Sequence, residues 1–198
     1  MEVDRILTHL AEMLEARGED ISEFVEHADA VPRARYYSER IVLNTPETTL
    51  FFVFKKELMK ELTREFKDHE TPAEFLAAYK SKNIILVATE PPSPAVQNTL
   101  QGYDRSFGPL GGSLQLFLKR ELLYNPSRHE LVPKHTKLTT PEIEALKERY
   151  MLKSKLQLPH IHRNDVMAKW LGLRHGDVVR ITRYNDTSGE YDYYRYCV

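Results

Sequence analysis

The chain has 198 residues, of which 41% are hydrophobic and 29% charged, and its formal net charge is −1. These values are typical of a soluble globular protein with one large or two small domains. They exclude the dense basic stripe of a dedicated nucleic-acid binder, and no run of apolar residues is long enough to cross a membrane.

Two further features of the composition limit the class of protein. The single cysteine, Cys197, excludes an internal disulfide and a cysteine-based zinc site, and it favours a reducing intracellular compartment. The first residues, MEVDRILTHLAEML, carry acids where a secretory signal carries bases, so we interpret them as mature structure. Residues 134–198 contain 12 Lys/Arg and 8 Asp/Glu, whereas residues 1–133 contain 16 Lys/Arg and 21 Asp/Glu.

The first half of the chain begins with alternating helix and strand patterns. Apolar residues recur at helical spacing over residues 3–17, which predicts an amphipathic helix that ends at Gly18. Strands are predicted within 36–54, with a turn at 44–46. A second helix is predicted from about 55 to 67, where acidic and basic ridges mark a solvated face.

The pattern continues with further helices and strands. A capping box that begins at Thr71 predicts a third helix over 72–81. NIILVAT (83–89) and SLQLFL (113–118) predict buried strands, and the four glycines in 101–113 predict a loop between them. This alternation of helices and strands predicts an α/β domain.

A domain boundary is predicted near residues 125–127, giving domains 1–125 and 126–198. The second domain is predicted to be a small α+β domain. Its patterns are a helix capped by Thr140, a short helix capped by Asn164 or Asp165, and a terminal β-hairpin of strands 177–183 and 190–198.

The last strand carries an unusual density of tyrosines, which raises the possibility of a stacking surface for single-stranded RNA. Because side chains alternate along a strand, Tyr191, Tyr193 and Arg195 point one way, while Tyr194 and Tyr196 point the other. This pattern favours a strand packed on both faces and tyrosines that contact protein. A stand-alone RNA-binding adaptor stays the alternative hypothesis.

Motifs for catalysis are weak. Neither a nucleophile elbow nor a phosphate-binding glycine loop is present. Glu65 and Lys67 have the Glu-x-Lys spacing of a metal-dependent nuclease, but in a helix they point about 200° apart. His160 and His162 share one face of a strand without further ligands of suitable spacing, so we expect no metal and no cofactor.

Four blocks of the C-terminal third resemble the shared fifth subunit of eukaryotic nuclear RNA polymerases, whose archaeal counterpart consists of this C-terminal domain alone. They are HELVPKH (129–135), ALKERYMLKSKLQLPHI (145–161), NDVMAKWLGLRHGDVVRITR (164–183) and TSGEYDYYRYCV (187–198). The resemblance covers about 70 residues in order.

The resemblance implies a non-catalytic subunit, since catalysis lies in the two largest polymerase subunits. The second domain is then the assembly domain that docks on the largest subunit, and the first is a jaw domain whose fold resembles an inactive nuclease. The expected docking residues are Pro133, His135, Arg149, Tyr150, Leu158, Pro159, Tyr191, Tyr193, Tyr194, Arg195 and Tyr196.

The resemblance of the first domain is weaker and consists of its order of helix, strand and helix and of one segment. EPPSPAVQ (90–97) is similar to the segment of the family's jaw that approaches downstream DNA, which implies a DNA-proximal loop at Ser93, Pro94 and Ala95. Gln97 stands where the family has a basic residue, so we expect weak or indirect contact with duplex DNA.

The resemblance also sets expectations for partners and location. We expect other polymerase subunits as partners, no membrane association and no homo-oligomer. The nucleus is the expected location, with a cytoplasmic viral factory or a virion as the alternative if a large DNA virus encodes the chain.

Overall fold

The chain divides into two units, Met1–Tyr124 and Asn125–Val198. The computed structural model describes residues 2–68, 72–79, 81–187 and 189–198, without the side chains at positions 67, 68, 72 and 73. Both units mix helices with sheet, which confirms the predicted fold class. Among the described helices, none has the length and apolar character needed to cross a bilayer.

The first unit contains a four-stranded sheet and the helices that connect its strands. The strands are β1 (Ile41–Asn44), β2 (Thr48–Val53), β3 (Asn83–Ala88) and β4 (Ser113–Leu118). The helices are α1 (Glu2–Ala16), α2 (Ser22–Ala30), α3 (Lys56–Asp68), α4 (Pro72–Ala78) and α5 (Pro94–Phe107).

The sheet of this unit has the order β1-β2-β3-β4. β1 is antiparallel to β2, whereas β2, β3 and β4 are parallel to one another. Parallel strands require crossover connections, which α3 with α4 and then α5 provide. Every residue of β2 is buried, as expected for a parallel sheet covered on both faces.

Different helices cover the two faces of the sheet. Met59 of α3, Phe75 of α4 and Leu100 of α5 pack on one face in a single apolar cluster. On the other face, Arg17 at the end of α1 donates a hydrogen bond of 2.7 Å to the buried Gln115 of β4. The sheet is therefore the central layer of this unit.

The second unit is smaller and contains a second four-stranded sheet. Its strands are β5 (Lys134–Lys137), β6 (His160–Ile161), β7 (Val178–Asn185) and β8 (Gly189–Cys197), in the order β5-β7-β8-β6. Its helices are α6 (Thr140–Arg149) and α7 (Val166–Trp170). β7 and β8 form the predicted antiparallel hairpin, and β6 adds to β8 in parallel.

Several predicted elements of the first unit are corrected by the structure. The predicted loop over 101–113 is wrong, because α5 extends to Phe107 and places Leu100 and Phe107 in the core. Tyr36 belongs to a 3-10 helix before β1 rather than to a strand, and α2 was not predicted. The predicted capping residue Thr71 lies outside the described residues.

The helix caps of the second unit refine the sequence interpretation. α6 begins at Thr140, and the capping residue is Thr139, whose backbone N–H and hydroxyl donate hydrogen bonds to Glu142. Of the two candidate caps for α7, Asp165 is the one that accepts hydrogen bonds from the first-turn N–H groups of Met167 and Ala168.

Candidate partner-binding surface

The last strand, β8, packs on both of its faces, as its alternating tyrosines predicted. Tyr193 and Cys197 belong to an apolar cluster with Ala168 of α7, which defines the α7 face of the sheet. Tyr194 and Tyr196 belong to a second cluster with residues of α6, which defines the α6 face. With the tyrosines divided in this way, neither face offers a run of stacked aromatic side chains for RNA.

The α7 face carries two arginines stacked on one tyrosine. The guanidinium carbon of Arg183 lies 5.1 Å from the ring centroid of Tyr193, and that of Arg195 lies 5.6 Å from it. One Nη of Arg195 donates to the carbonyl of His160, at 3.1 Å. The Nε atoms of both arginines are buried without an acceptor among the described residues. Tyr193 thus holds two cationic side chains against its ring.

Such an arrangement suits an acidic partner. A guanidinium presents its donors in a rigid fork that matches a carboxylate, and its orientation on an aromatic ring is fixed in advance. Tyr191 pairs across the hairpin with Arg183 and is 40% exposed, so its ring extends the same patch.

The α6 face carries a cleft at the end of α6. Arg149 lies over the ring of Tyr150 at 5.5 Å, and the rings of Tyr150 and Tyr194 are 5.9 Å apart in an edge-to-face arrangement. The cleft has a volume of about 180 Å³ and is lined partly by Arg149, Arg180 and Tyr194. Burial raises the pKa of Tyr194. Tyr150 is 48% exposed and is available for contact.

Tyr196 is the one predicted contact residue whose side chain is buried in the structure. Its side chain is 5% exposed and packs with Leu138, Leu146 and Val178 in the core of the α6 face. The ring of His175 meets it edge to face at 5.9 Å. Tyr196 therefore supports the sheet from within, and its role in contact with a partner stays a prediction.

The other predicted contact residues lie at the edges of this sheet. Nδ1–H of His135 donates to the carbonyl of Pro133 at 2.7 Å, which fixes the start of β5. Leu158 packs against the α6-face cluster, and the exposed Pro159 accepts the N–H of Tyr196 through its carbonyl at 2.8 Å. The structure thus brings Leu158 together with Tyr194 on the α6 face.

Two arginines of this surface were not predicted from the sequence. Arg183 pairs in register with Tyr191, and Arg180 pairs with Tyr194. The signal was the hairpin register, because residues directly opposite each other on antiparallel strands share a face. The exposed Met151 in the loop after α6, at 91%, was also missed.

The predicted DNA-proximal residues lie in the first unit, at the start of α5. Ser93 is the capping residue of this helix, and Pro94 is its first residue, so the predicted loop is in part a helix terminus. Ser93, Pro94 and Ala95 are all exposed. The amide of Gln97 donates to the carbonyl of Pro92 at 3.0 Å and holds the preceding segment against the helix.

The residues tested for catalysis have structural partners. Glu65, in α3, accepts hydrogen bonds from Arg40 and from the hydroxyl of Tyr79. Burial raises the pKa of Cys197 to about 11, which disfavours the nucleophilic thiolate. In the described parts of the chain, no three His, Cys, Asp or Glu side chains are placed to hold a metal ion.

Comparisons with known proteins match the sequence of the second unit. The family model of the RNA polymerase Rpb5 C-terminal domain matches residues 124–197. A protein of Dictyostelium discoideum named DNA-directed RNA polymerases I, II, and III subunit rpabc1 is 46% identical over 86 residues, which cover 43% of this chain and 43% of the relative.

A second relative gives the same result. A protein of Caenorhabditis briggsae, named DNA-directed RNA polymerases I, II, and III subunit RPABC1, is 46% identical over 85 residues, or 43% of this chain and 40% of that protein. The chain thus matches less than half the length of each relative. Residues 124–197 accordingly match the RNA polymerase Rpb5 C-terminal domain, and over this part of the chain the resemblance to the shared fifth subunit is confirmed.

Proposed function

We propose that the chain is a non-catalytic subunit of a multisubunit DNA-dependent RNA polymerase. The observation that carries the proposal is the Rpb5 C-terminal domain at residues 124–197, whose sheet is packed on both faces and carries aromatic and arginine side chains at its surface. The second unit acts as the assembly domain and docks on the largest subunit. The first unit forms part of the lower jaw near downstream DNA.

The α6 face supplies one docking contact. Tyr150 is half exposed, and its ring is held between Arg149 and Tyr194. Tyrosine and arginine in such preorganised pairs are the residue types that dominate the energetics of protein interfaces. Leu158 extends this contact with apolar surface, and Pro159 lies next to it in the chain.

The α7 face supplies a second contact of different character. Arg183 and Arg195, stacked on Tyr193, bind acidic side chains of the partner, and Tyr191 packs beside them. Hydrogen bonds of a guanidinium to a carboxylate are about twice as strong as neutral ones, so this patch contributes orientation as well as affinity. The docking surface then includes both faces of the hairpin.

The first unit lies near DNA without binding it tightly. Ser93, Pro94 and Ala95 are exposed at the positive end of a helix, which favours phosphate. Residues 1–124, however, contain 15 Lys/Arg and 20 Asp/Glu, so the unit as a whole repels a polyanion. We infer a position beside the duplex and, for a cellular chain, location in the nucleus.

Co-purification tests this proposal. The tagged full chain is expressed in its own cells and purified under mild conditions, and the bound proteins are identified by mass spectrometry. The two largest polymerase subunits are expected among the main bound proteins. Their absence, together with binding of the purified chain to single-stranded RNA, would support the RNA-binding adaptor instead.

A further inference from the structure

The first unit contains a cavity at the carboxyl ends of its parallel strands. The cavity has a volume of about 360 Å³ and lies where β2 ends at Val53 and β3 ends at Ala88. The volume is in the range of small ligand sites and accommodates a bulky apolar side chain.

The inner wall of the cavity is apolar. Val53, Met59 and Ala88 are almost fully buried and form its floor, and the half-buried Phe54 and Val96 form its sides. Such a wall cannot form hydrogen bonds with phosphate groups or base edges. It favours an apolar group that is removed from water on entry.

The rim of the cavity is cationic within a unit that is negative overall. Lys55, Lys56 and Lys60 line it, against the single carboxylate of Glu90. Lys56 and Glu90 form an exposed ion pair of 2.7 Å. Lys60 has no hydrogen bond or ion pair among the described residues, and the ammonium of Lys55 makes one long contact of 3.4 Å with the carbonyl of Ser38.

Two helices begin at the same rim and add to its positive potential. α3 starts at Lys56 and α5 at Pro94, so the first turns of both helices line the cavity. The side chain of Ser93 makes no capping hydrogen bond to α5. The N–H groups of these first turns lack intrahelical acceptors, and helix dipoles place partial positive charge there.

We propose that this cavity, which we call the β2/β3 pocket, binds a short acidic segment of a partner protein that carries a bulky apolar side chain. The apolar side chain enters the cavity, and the neighbouring carboxylates contact the lysines of the rim. Duplex DNA is a poorer occupant, since it has no apolar group to place in the cavity. Its row of phosphates would also be repelled by the net negative charge of the unit.

A defined peptide tests the pocket in the full chain. The probe is a fluorescent peptide that alternates Asp and Glu with Phe and Leu, and fluorescence anisotropy measures its binding at low and high salt. Binding is expected to weaken as salt rises. A version with Asn and Gln in place of the acids is expected to bind about tenfold more weakly, since it cannot pair with the lysines.

Variants locate the binding to the pocket. Lys60→Glu reverses a charge at the rim, and Thr89→Trp fills the cavity from an exposed position; each is expected to weaken binding about fivefold or more. The matched control is Lys82→Glu, which makes the same charge change beside the opposite end of β3 and is expected to leave binding unchanged. Circular dichroism verifies that each variant is folded.

Three results with the peptide would each overturn the proposal. The first is that the peptide does not bind at high micromolar concentrations. The second is that Lys82→Glu weakens binding as much as Lys60→Glu does. The third is that the version with Asn and Gln binds as tightly as the acidic peptide. The proposal would also be overturned if a short DNA duplex binds at the pocket, competes with the peptide and loses its binding in Lys60→Glu. That result would identify a phosphate site instead. None of these outcomes bears on whether the second unit docks on a polymerase.

Discussion

The hydroxyl of Tyr79 donates a hydrogen bond to the carboxylate of Glu65, which also accepts one from Arg40. Arg40 lies over the ring of Phe51 at 5.9 Å, so the network joins the segment before β1 to α3, to the residue after α4 and to the sheet. Glu65 therefore connects these elements through hydrogen bonds. This role is structural and differs from the metal-binding role suggested by the Glu-x-Lys spacing.

This hydrogen bond predicts a dependence of stability on alkaline pH. Burial and then the hydrogen bond to Glu65 raise the pKa of Tyr79 from 10.0 to about 12. The unfolded chain thus loses the Tyr79 proton first, and the stabilisation that is complete below pH 10.0 is lost as the pH approaches about 12. The free energy of unfolding, measured with urea across this pH range, is expected to fall less steeply with pH in Tyr79→Phe than in the wild type.

The control for Tyr79 is another tyrosine without this environment. Tyr184 is 76% exposed, and Tyr184→Phe is expected to retain the wild-type dependence on pH. If Tyr79→Phe and the wild type lose stability in parallel above pH 10.0, the environment of Tyr79 does not raise its pKa.

Two glycine substitutions test the correction of the predicted loop over 101–113. Gly102 lies within α5 with nothing within 4 Å of an added Cβ, so Gly102→Ala is expected to stabilise the chain by about 0.5–1 kcal/mol. At Gly112 the Cβ would lie 2.4 Å from the carbonyl oxygen of Lys82, so Gly112→Ala is expected to destabilise by about 1–3 kcal/mol.

Chemical denaturation measures both glycine variants against the wild type. Because one glycine lies in a helix and the other in a close backbone contact, the two changes in unfolding free energy should have opposite signs. Destabilisation by Gly102→Ala would contradict the helical assignment and restore the predicted loop.

The single thiol of the chain should be unreactive in the folded state. Cys197 is fully buried, and burial raises its pKa from 9.0 to about 11, which lowers the thiolate fraction about 100-fold at neutral pH. A disulfide reagent is expected to modify the folded chain far more slowly than the urea-unfolded chain. Equal rates would show that β8 opens readily and is not the core strand described above.

The division of tyrosines in β8 could be predicted from the sequence, because alternation is a local property of a strand. Tyr193 and Tyr194 lie on opposite faces for that reason alone. The arginines that complete each face could not be identified in this way. Arg183 and Arg180 come from β7, and their place depends on a hairpin register that the sequence of β8 does not contain.

The first unit was harder to predict. Gly102 and Gly108 suggested a loop, although Leu100 and Phe107 have the spacing of a buried helical face, and the tertiary packing of that face outweighs the low helix propensity of glycine. The β2/β3 pocket could not be predicted at all, since it is formed where two parallel strands end side by side. Of the features that form the pocket, only the lysine-rich start of α3 could be identified from the sequence.

Docking through the α6 face predicts a specific sensitivity to Tyr150. Tyr150→Ala removes an exposed ring that meets Tyr194 edge to face, and is expected to weaken polymerase association by about 2 kcal/mol, or roughly 30-fold. Tyr184→Ala removes an equally large ring at the end of β7 and is expected to have no effect. Thermal unfolding of both variants verifies that any loss arises at the interface.

The most direct test of the polymerase-subunit proposal is the stoichiometry of the native complex. The tagged chain is purified from its own cells, the complex is separated by gel filtration, and quantitative mass spectrometry measures the molar ratio of the chain to the largest polymerase subunit. The proposal predicts equal molar amounts in one high-mass peak. A tagged chain that elutes without the largest subunit would contradict it.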